Sequence, residues 1–432
     1  APKPKKHNIA GVEDVFLYTT QEQDPIGLLY ELECARLNRV VFQLDFDGSE
    51  NFTLEGRGDG ESGGAADEAL ILKVTAEPFK RVRMGKLLLK DPSKPATLSN
   101  KYTWSLEDPD ARAMAQAMEE DRKYLHEQCL EAATLGFGDD SLTTQAVEER
   151  CAKEGVLFLD PDFPPIETSL YKKDPSGEVL SDGQPITYRR PRDFMDGSYD
   201  VFLGGIEPND IRQGMLTDCW FLCALSAIAE FPNLVQKLFC EESQKVSEAG
   251  VYKLRICKNG QWQTVTVDDY FPCWPGGGPS YSRSHGNELW VLLLEKAYAK
   301  VHGSYATIKM GWAYEAMLDL TGAPYASIRF EDPDVQEKFK TGKLWDELVH
   351  WDEEGYVMSC STPGEDVFTE TGDKPLKDGS GLVAGHAYTL LTAKETSDGH
   401  KLVCLRNPWG NFEWQGDWSD HSDLWTPAIM AE

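Results

Sequence analysis

Residues 213–231 read Gln-Gly-Met-Leu-Thr-Asp-Cys-Trp-Phe-Leu-Cys-Ala-Leu-Ser-Ala-Ile-Ala-Glu-Phe, a polar approach followed by an apolar run. The polar residues that end at Asp218 predict a capped turn, and the apolar run predicts a helix that Cys219 opens. A thiol at a helix N-terminus feels the positive end of the helix dipole, which lowers its pKa and favours the nucleophilic thiolate. Gln213 could place its side-chain amide beside the sulfur, so that this amide and the Cys219 backbone N–H form an oxyanion hole.

A cysteine in this position also has a simpler interpretation, because most cysteines on apolar helices are only buried. Cys223, one turn further along the helix, is expected to be such a buried cysteine. Two later residues favour the chemical interpretation. His386 begins a strand between small neighbours that leave its ring accessible, and Asn407 stands where a strand ends. A histidine that accepts the thiol proton needs a third group to fix its tautomer, and the order Cys, His, Asn is that of papain-like thiol proteases.

The composition argues against several classes of protein. The 432 residues contain 43 Lys and Arg against 72 Asp and Glu, and the formal net charge of −29 repels nucleic acids and anionic lipid surfaces. No apolar run is long enough to cross a membrane, and the basic N-terminus leads into no signal peptide. The ten cysteines show neither CxxC pairs nor zinc-type spacing. We therefore expect no nucleic-acid partner, no transmembrane segment and a cytoplasmic location.

The rest of the chain predicts an α+β fold. Residues 1–105 contain short apolar or alternating runs broken by turns, which predict a β-rich, sandwich-like N-terminal domain. Residues 106–165 place apolar side chains at helical spacing and end in a proline-rich stretch, which predicts a helical linker. Beyond this linker, helices come early and strands come late.

Several motifs closely resemble the protease core of the calpain family. They are Gln213 to Trp220, Glu288-Leu289-Trp290, residues 294–301, Gly385 to Tyr388, and Arg406 to Gly410 followed by Glu413-Trp414 and Trp418-Ser419-Asp420. The resemblance implies a papain-like core of two lobes, residues 166–322 and 323–432. The second lobe would be incomplete at its C-terminal end, because the chain stops before the family's last strand segment. The N-terminal module weakly resembles the extra domain of protozoan calpain-like proteins.

The same resemblance implies roles for individual residues. It maps the nucleophile onto Cys219, the base onto His386, the orienting amide onto Asn407 and the oxyanion donor onto Gln213. Trp409 matches the tryptophan that, in calpains, wedges between the two lobes until calcium closes the cleft. The implied calcium ligands are the carbonyls of Leu203 and Gly205 with the carboxylates of Asp210 and Glu288 at one site, and Glu413 and Asp420 at a second. Oxygen ligands suit this hard cation.

The leading hypothesis is therefore a calcium-dependent intracellular cysteine endopeptidase that makes limited cuts in protein substrates through a Cys-His-Asn triad. An alternative is a non-catalytic or weakly active calpain-like scaffold that binds partners through its N-terminal domain. The presence of all the triad residues favours the enzyme. A third possibility is acyl transfer to an amine, as in transglutaminases, and the Asn third member argues against it.

Overall fold

The computed structural model describes residues 4–9, 12, 15–23, 26–34, 38–55, 70–76, 80–107, 111–137, 142–173, 176–177, 179, 183–195, 197–275, 277–363, 381–410 and 414–431. The chain divides into two compact units. The first comprises Ala1–Arg122, Pro185–Thr187 and Cys273–Gly278, and the second comprises Lys123–Gln184, Tyr188–Pro272 and Pro279–Glu432. The predicted mixture of helices and sheets is confirmed, whereas the boundaries at residues 105, 165 and 322 stay predictions.

The first unit contains eight antiparallel strands among its described residues. They are β1 (Lys5–Asn8), β2 (Val15–Gln23), β3 (Ile26–Cys34), β4 (Arg39–Asp45), β5 (Phe52–Glu55), β6 (Ile71–Ala76), β7 (Arg81–Leu89) and β8 (Lys101–Glu107). One sheet has the order β1-β2-β3-β7-β5 and the other the order β6-β4-β8. A sandwich remains the prediction for how these two sheets combine.

The first unit has one hydrophobic core to which both sheets contribute. In β4 the buried residues are Val40, Phe42 and Leu44, and the residues between them are less buried. This alternation follows from the two-residue period of a strand, which sends successive side chains to opposite faces. The sequence pattern that predicts the strands therefore also predicts which side chains form the core.

Helices and further strands follow along the rest of the chain. They are α1 (Ala111–Thr134), α2 (Thr144–Glu154), α3 (Glu167–Leu170), β9 (Thr187–Arg189), α4 (Pro191–Phe194), β10 (Ile211–Arg212), α5 (Cys219–Ala229), α6 (Pro232–Gln236), β11 (Val251–Lys258), β12 (Gln261–Asp268), β13 (Phe271–Cys273), β14 (Arg283–Ser284), α7 (Trp290–His302), α8 (Ala313–Thr321), α9 (Pro333–Thr341), α10 (Lys343–Glu353), β15 (Met358–Ser361), β16 (Ala387–Glu395), β17 (Lys401–Arg406) and α11 (Pro427–Met430). Among the residues described, no helix has the length and apolar character that crossing a membrane requires.

Helix α5 is the centre of the second unit. All of its residues are buried, which agrees with a helix that is apolar on every side. It packs against α8 and against β16, the central strand of the sheet β15-β16-β17. The Trp220 indole N–H donates to the Ile308 carbonyl at 2.9 Å, which fixes the first turn of α5 to the segment that precedes α8.

Buried ion pairs hold the second unit together beneath α7. Lys296 Nζ lies 2.5 Å from Asp268 Oδ1, and neither side chain is exposed. Asp268 Oδ2 accepts the Asp160 backbone N–H at 2.8 Å, and Lys300 Nζ donates to Asp160. Because each of these charges has a partner, burial does not leave a charge uncompensated. The pairs fix the segment around Asp160, which belongs to the predicted linker, against the core of the second unit.

Candidate active site

Cys219 lies where the sequence predicts, at the first position of α5, and its side chain is buried. One turn further on, the Cys223 carbonyl accepts a hydrogen bond of 2.9 Å from Thr389 Oγ1 of β16. His386 immediately precedes β16. The helix that begins with the candidate nucleophile and the strand that follows the candidate base are therefore packed and hydrogen-bonded to each other.

Asp218 precedes α5 without capping it, so the predicted side-chain cap is wrong. Its carboxyl group is fully buried and interacts with the carboxyl group of Glu295 on α7. Glu295 Oε1 accepts the Ser282 backbone N–H at 2.9 Å. Burial, followed by the nearby Glu295 charge, raises the pKa of Asp218 well above its usual range. Burial also raises the pKa of Glu295 to about 7.

We call these two carboxyl groups, each of which affects the pKa of the other, the Asp218–Glu295 acid pair. Two ionised carboxylates in contact without water repel each other, so one must remain protonated. Since Glu295 already accepts a backbone N–H, the charge is better placed there, and Asp218 is the protonated donor. The residue before Cys219 is therefore neutral, which avoids a second negative charge beside a thiolate.

The His386 ring is oriented by Asn407. His386 Nε2 lies 2.8 Å from Asn407 Oδ1, and the Trp409 backbone N–H donates to the same oxygen at 3.1 Å. A backbone N–H can only donate, which identifies this atom as the amide oxygen rather than the amide nitrogen. An amide oxygen accepts, so Nε2 of His386 carries the proton. In the neutral ring, Nδ1 is then the basic nitrogen.

The His386 ring is not accessible, although the small neighbouring residues predicted that it would be. It is fully buried, and the Trp409 indole lies against it with ring centroids 4.6 Å apart. Tyr388 approaches it edge-on, with ring centroids 5.0 Å apart. The cause is tertiary: Trp409 comes from the loop after β17, which the residues next to His386 cannot indicate.

Gln213 is buried on the segment that leads to Cys219. Its Nε2 donates to the Leu216 carbonyl at 2.7 Å, and its backbone N–H donates to the Pro408 carbonyl at 2.9 Å. One N–H of the side-chain amide is therefore bonded within the same loop. The second N–H of that group is the one that could donate to an oxyanion. The next residue, Gly214, passes very close to Tyr281. Only glycine fits there, because a Cβ on Gly214 would lie 2.0 Å from the Tyr281 carbonyl oxygen.

Three residues of the first predicted calcium site, Leu203, Asp210 and Glu288, lie close to one another. The Leu203 backbone N–H donates to Glu288 Oε2 at 3.3 Å, and the Glu288 carboxyl also interacts with that of Asp210. Burial, and next the Asp210 charge, raises the pKa of Glu288 to about 8. Gly205 has φ = 132°, a conformation that favours glycine.

Of the second predicted set of ligands, the structure describes only Asp420. Glu413 lies outside the described residues, and Asp420 is exposed. Within the part of the chain that the structure describes, no cluster of three or more His, Cys, Asp and Glu side chains could hold a metal ion. The first set does not depend on such a cluster, because half of its implied ligands are backbone carbonyls.

Sequence reasoning assigned no role to Glu295 or Arg406. Glu295 interrupts the apolar run of α7, and a lone acid in such a run signals a buried partner. Arg406 ends β17 beside Asn407 and is 9% exposed, so it is nearly as buried as the candidate site residues. Its partners Asn209 and Ile211 lie far away in the sequence, and no local pattern identifies them.

Comparison with known proteins gives a consistent result. Residues 158–430 match the family described as calpain family cysteine protease. The chain is similar to the calpain-type cysteine protease ADL1 of Oryza sativa subsp. japonica, with 38% identity over 294 residues, which cover 65% of this chain and 13% of that protein. It is 31% identical to calpain-5 of Mus musculus over 307 residues, which cover 66% of this chain and 46% of that protein. It is 34% identical to the calpain-1 catalytic subunit of Mus musculus over 306 residues, which cover 70% and 41%. The chain therefore spans less than half the length of each of these relatives.

Proposed function

The chain belongs to the calpain family of cysteine proteases, as its motifs predict, and we propose that it is a calcium-dependent cysteine endopeptidase that makes limited cuts in protein substrates. The observation that carries the proposal is the hydrogen bond of 2.8 Å between His386 Nε2 and Asn407 Oδ1. It leaves Nδ1 as the basic nitrogen, next to the strand that packs on the helix opened by Cys219.

The proposed reaction has two halves. His386 Nδ1 takes the proton of the Cys219 thiol, and the thiolate attacks the carbonyl carbon of the scissile peptide bond. When the C–N bond breaks, the leaving amine takes the proton from His386, and a thioester remains on Cys219. Water then gives a proton to His386 and attacks the thioester. The acid product leaves, and the proton returns to the sulfur.

The Asp218–Glu295 acid pair and Gln213 support this chemistry. The tetrahedral intermediate of each half carries a negative oxygen, which the Cys219 backbone N–H and the second Nε2 hydrogen of Gln213 stabilise. Residues at the start of a helix direct their N–H groups out of the helix end, as an oxyanion hole requires. Asp218 is neutral because its pKa lies well above its usual range, so it does not oppose the negative charge on the sulfur.

The residues of the first predicted site fit calcium. Asp210 and Glu288 are carboxyl groups that repel each other, and Glu288 is almost fully buried, so a cation would stabilise the charged form of both. The carbonyls of Leu203 and Gly205 would complete an oxygen-only ligand set. Calcium, when bound, supplies the positive charge that holds these segments together. A second site at Glu413 and Asp420 stays a prediction.

Trp409 is the proposed gate. Trp409 is 5% exposed and its indole packs on the His386 ring, so the histidine and the tryptophan must separate for a substrate to reach the base. The cytoplasmic location is also proposed, and it is supported by the ten scattered cysteines, whose density is below that of a disulfide-stapled secreted protein. Binding of another protein by the N-terminal domain remains the basis of the alternative, a scaffold.

The proposal is tested by hydrolysis of an unstructured protein such as casein, with and without calcium. Cys219→Ala should abolish hydrolysis, while the matched variant Cys223→Ala should retain it. Cys223 is one turn away on α5, and burial raises the pKa of its thiol to about 12, so it is an inert neighbour of the nucleophile. Equal hydrolysis by wild type and Cys219→Ala would refute the proposal. No hydrolysis by the wild type in calcium would favour the scaffold.

A further inference from the structure

Arg406 lies at the end of β17, next to Asn407, and its guanidinium bonds to two segments of the second unit. Arg406 Nε donates to Asn209 Oδ1 at 3.2 Å, and Nη2 donates to the Ile211 carbonyl at 2.7 Å. Nη1 lies 3.4 Å from the carbonyl oxygen of Asn407. One buried cation therefore joins the residue that orients His386 to a segment about 195 positions earlier in the chain.

A backbone hydrogen bond reinforces the same junction. The Gln213 N–H donates to the Pro408 carbonyl at 2.9 Å. Gln213 is two residues after Ile211, and Pro408 is two residues after Arg406. Residues 209–213 run into the helix that Cys219 opens, and residues 406–408 include Asn407. The junction thus connects the approach to the proposed nucleophile with the residue that orients the proposed base.

The shape of the arginine side chain is essential to this arrangement. The guanidinium is a rigid planar fork, and its donors reach acceptors on both segments at once. The single ammonium group of a lysine carries the same charge but cannot occupy these positions together. A substitution to lysine therefore keeps the positive charge at the junction but removes the planar arrangement of donors.

We propose that Arg406 is a positioning residue that fixes Asn407, and through it the His386 ring, to the Asn209–Ile211 segment. This inference rests on the proposed cysteine protease activity, because it assigns a task to Arg406 only if His386 acts on Cys219.

The test compares Arg406→Lys and Arg406→Met with the wild type, in the full chain and in millimolar calcium. Arg255→Lys and Arg255→Met are matched controls, since Arg255 is exposed on β11 and lies over the Trp262 ring, 5.3 Å from its centroid. Two readouts are used: the kcat and KM of peptide hydrolysis, and the pH profile of Cys219 alkylation by iodoacetamide, mapped by mass spectrometry. Alkylation requires only the thiolate, so it reports the pairing of Cys219 with His386 without requiring turnover.

We expect both Arg406 variants to lose about 10- to 100-fold in kcat with KM nearly unchanged, because the base is misplaced rather than the substrate. The alkylation profile should shift towards that of His386→Ala, while the Arg255 variants should match the wild type. A wild-type kcat and alkylation profile for Arg406→Lys would overturn the proposal. A loss of kcat that accompanies a lower melting temperature and disappears at a lower assay temperature would also overturn the proposal. If no chain hydrolyses peptide but alkylation still separates the Arg406 variants from the wild type, the proposed function fails and the positioning role stands.

Discussion

The Asp218–Glu295 acid pair makes the stability of the second unit depend on pH, and Glu295→Gln should remove the part of that dependence that Glu295 contributes. Glutamine keeps the size of the side chain and its capacity to accept the Ser282 N–H, but it cannot ionise. In the folded chain, burial raises the pKa of Glu295 from 4.5 to about 7. The folded state therefore holds this proton more tightly than the unfolded state does.

The sign and the size of the effect follow from that difference. The stabilisation from the bound proton is complete below pH 4.5 and is lost as the pH rises to about 7. At about 1.4 kcal/mol for each pH unit, this interval corresponds to about 3 kcal/mol. The unfolding free energy of the wild type minus that of Glu295→Gln should fall by this amount between pH 4.5 and pH 8.

Urea unfolding followed by tryptophan fluorescence measures this difference at a series of pH values. Glu337→Gln, which changes an exposed residue of α9, is the control, and it should stay within about 0.5 kcal/mol of the wild type at every pH. The reasoning is refuted if the difference between the wild type and Glu295→Gln is constant from pH 4.5 to pH 8. In that case Glu295 would hold its proton no more tightly in the folded chain than in the unfolded chain.

Three further predictions concern single side chains. Asn407→Ala leaves the buried Nε2–H of His386 without its acceptor, a loss of about 1–3 kcal/mol that should lower the kcat of the proposed peptide hydrolysis about 10- to 100-fold. Gly214→Ala places a methyl group against the Tyr281 carbonyl, so melting curves should show a clear loss of stability; an unchanged melting temperature would contradict the close approach. Lys296→Met leaves the Asp268 carboxylate buried without its cation, and urea unfolding should show a loss of about 3–5 kcal/mol.

The local pattern predicts the elements that carry the site. The apolar run after Asp218 predicts α5, which begins at Cys219, because a helix buried on every side needs apolar residues at every position. The alternating residues of β4 and the apolar stretch that becomes β16 are similarly evident, since each strand has a buried face. These features depend on neighbours in the chain, which the sequence displays directly.

Other predictions fail where a local rule competes with a distant partner. Asp218 has the residue type and place of a helix cap, but the carboxyl group of Glu295 is its partner in the folded chain. Small neighbours suggest that the His386 ring is open, yet Trp409 covers it from another loop. In both cases the partner comes from a different element, so its approach depends on how the elements pack.

The sequence by itself determines the family, the helix that Cys219 opens and the residue types of the proposed triad, because motif order and periodicity are properties of the chain alone. The tertiary structure decides which nitrogen of His386 is basic, where the proton of the acid pair lies and what Arg406 joins. Each of these depends on a hydrogen bond or a charge between residues far apart in the chain. Their energies arise only when folding excludes water and brings the two groups together.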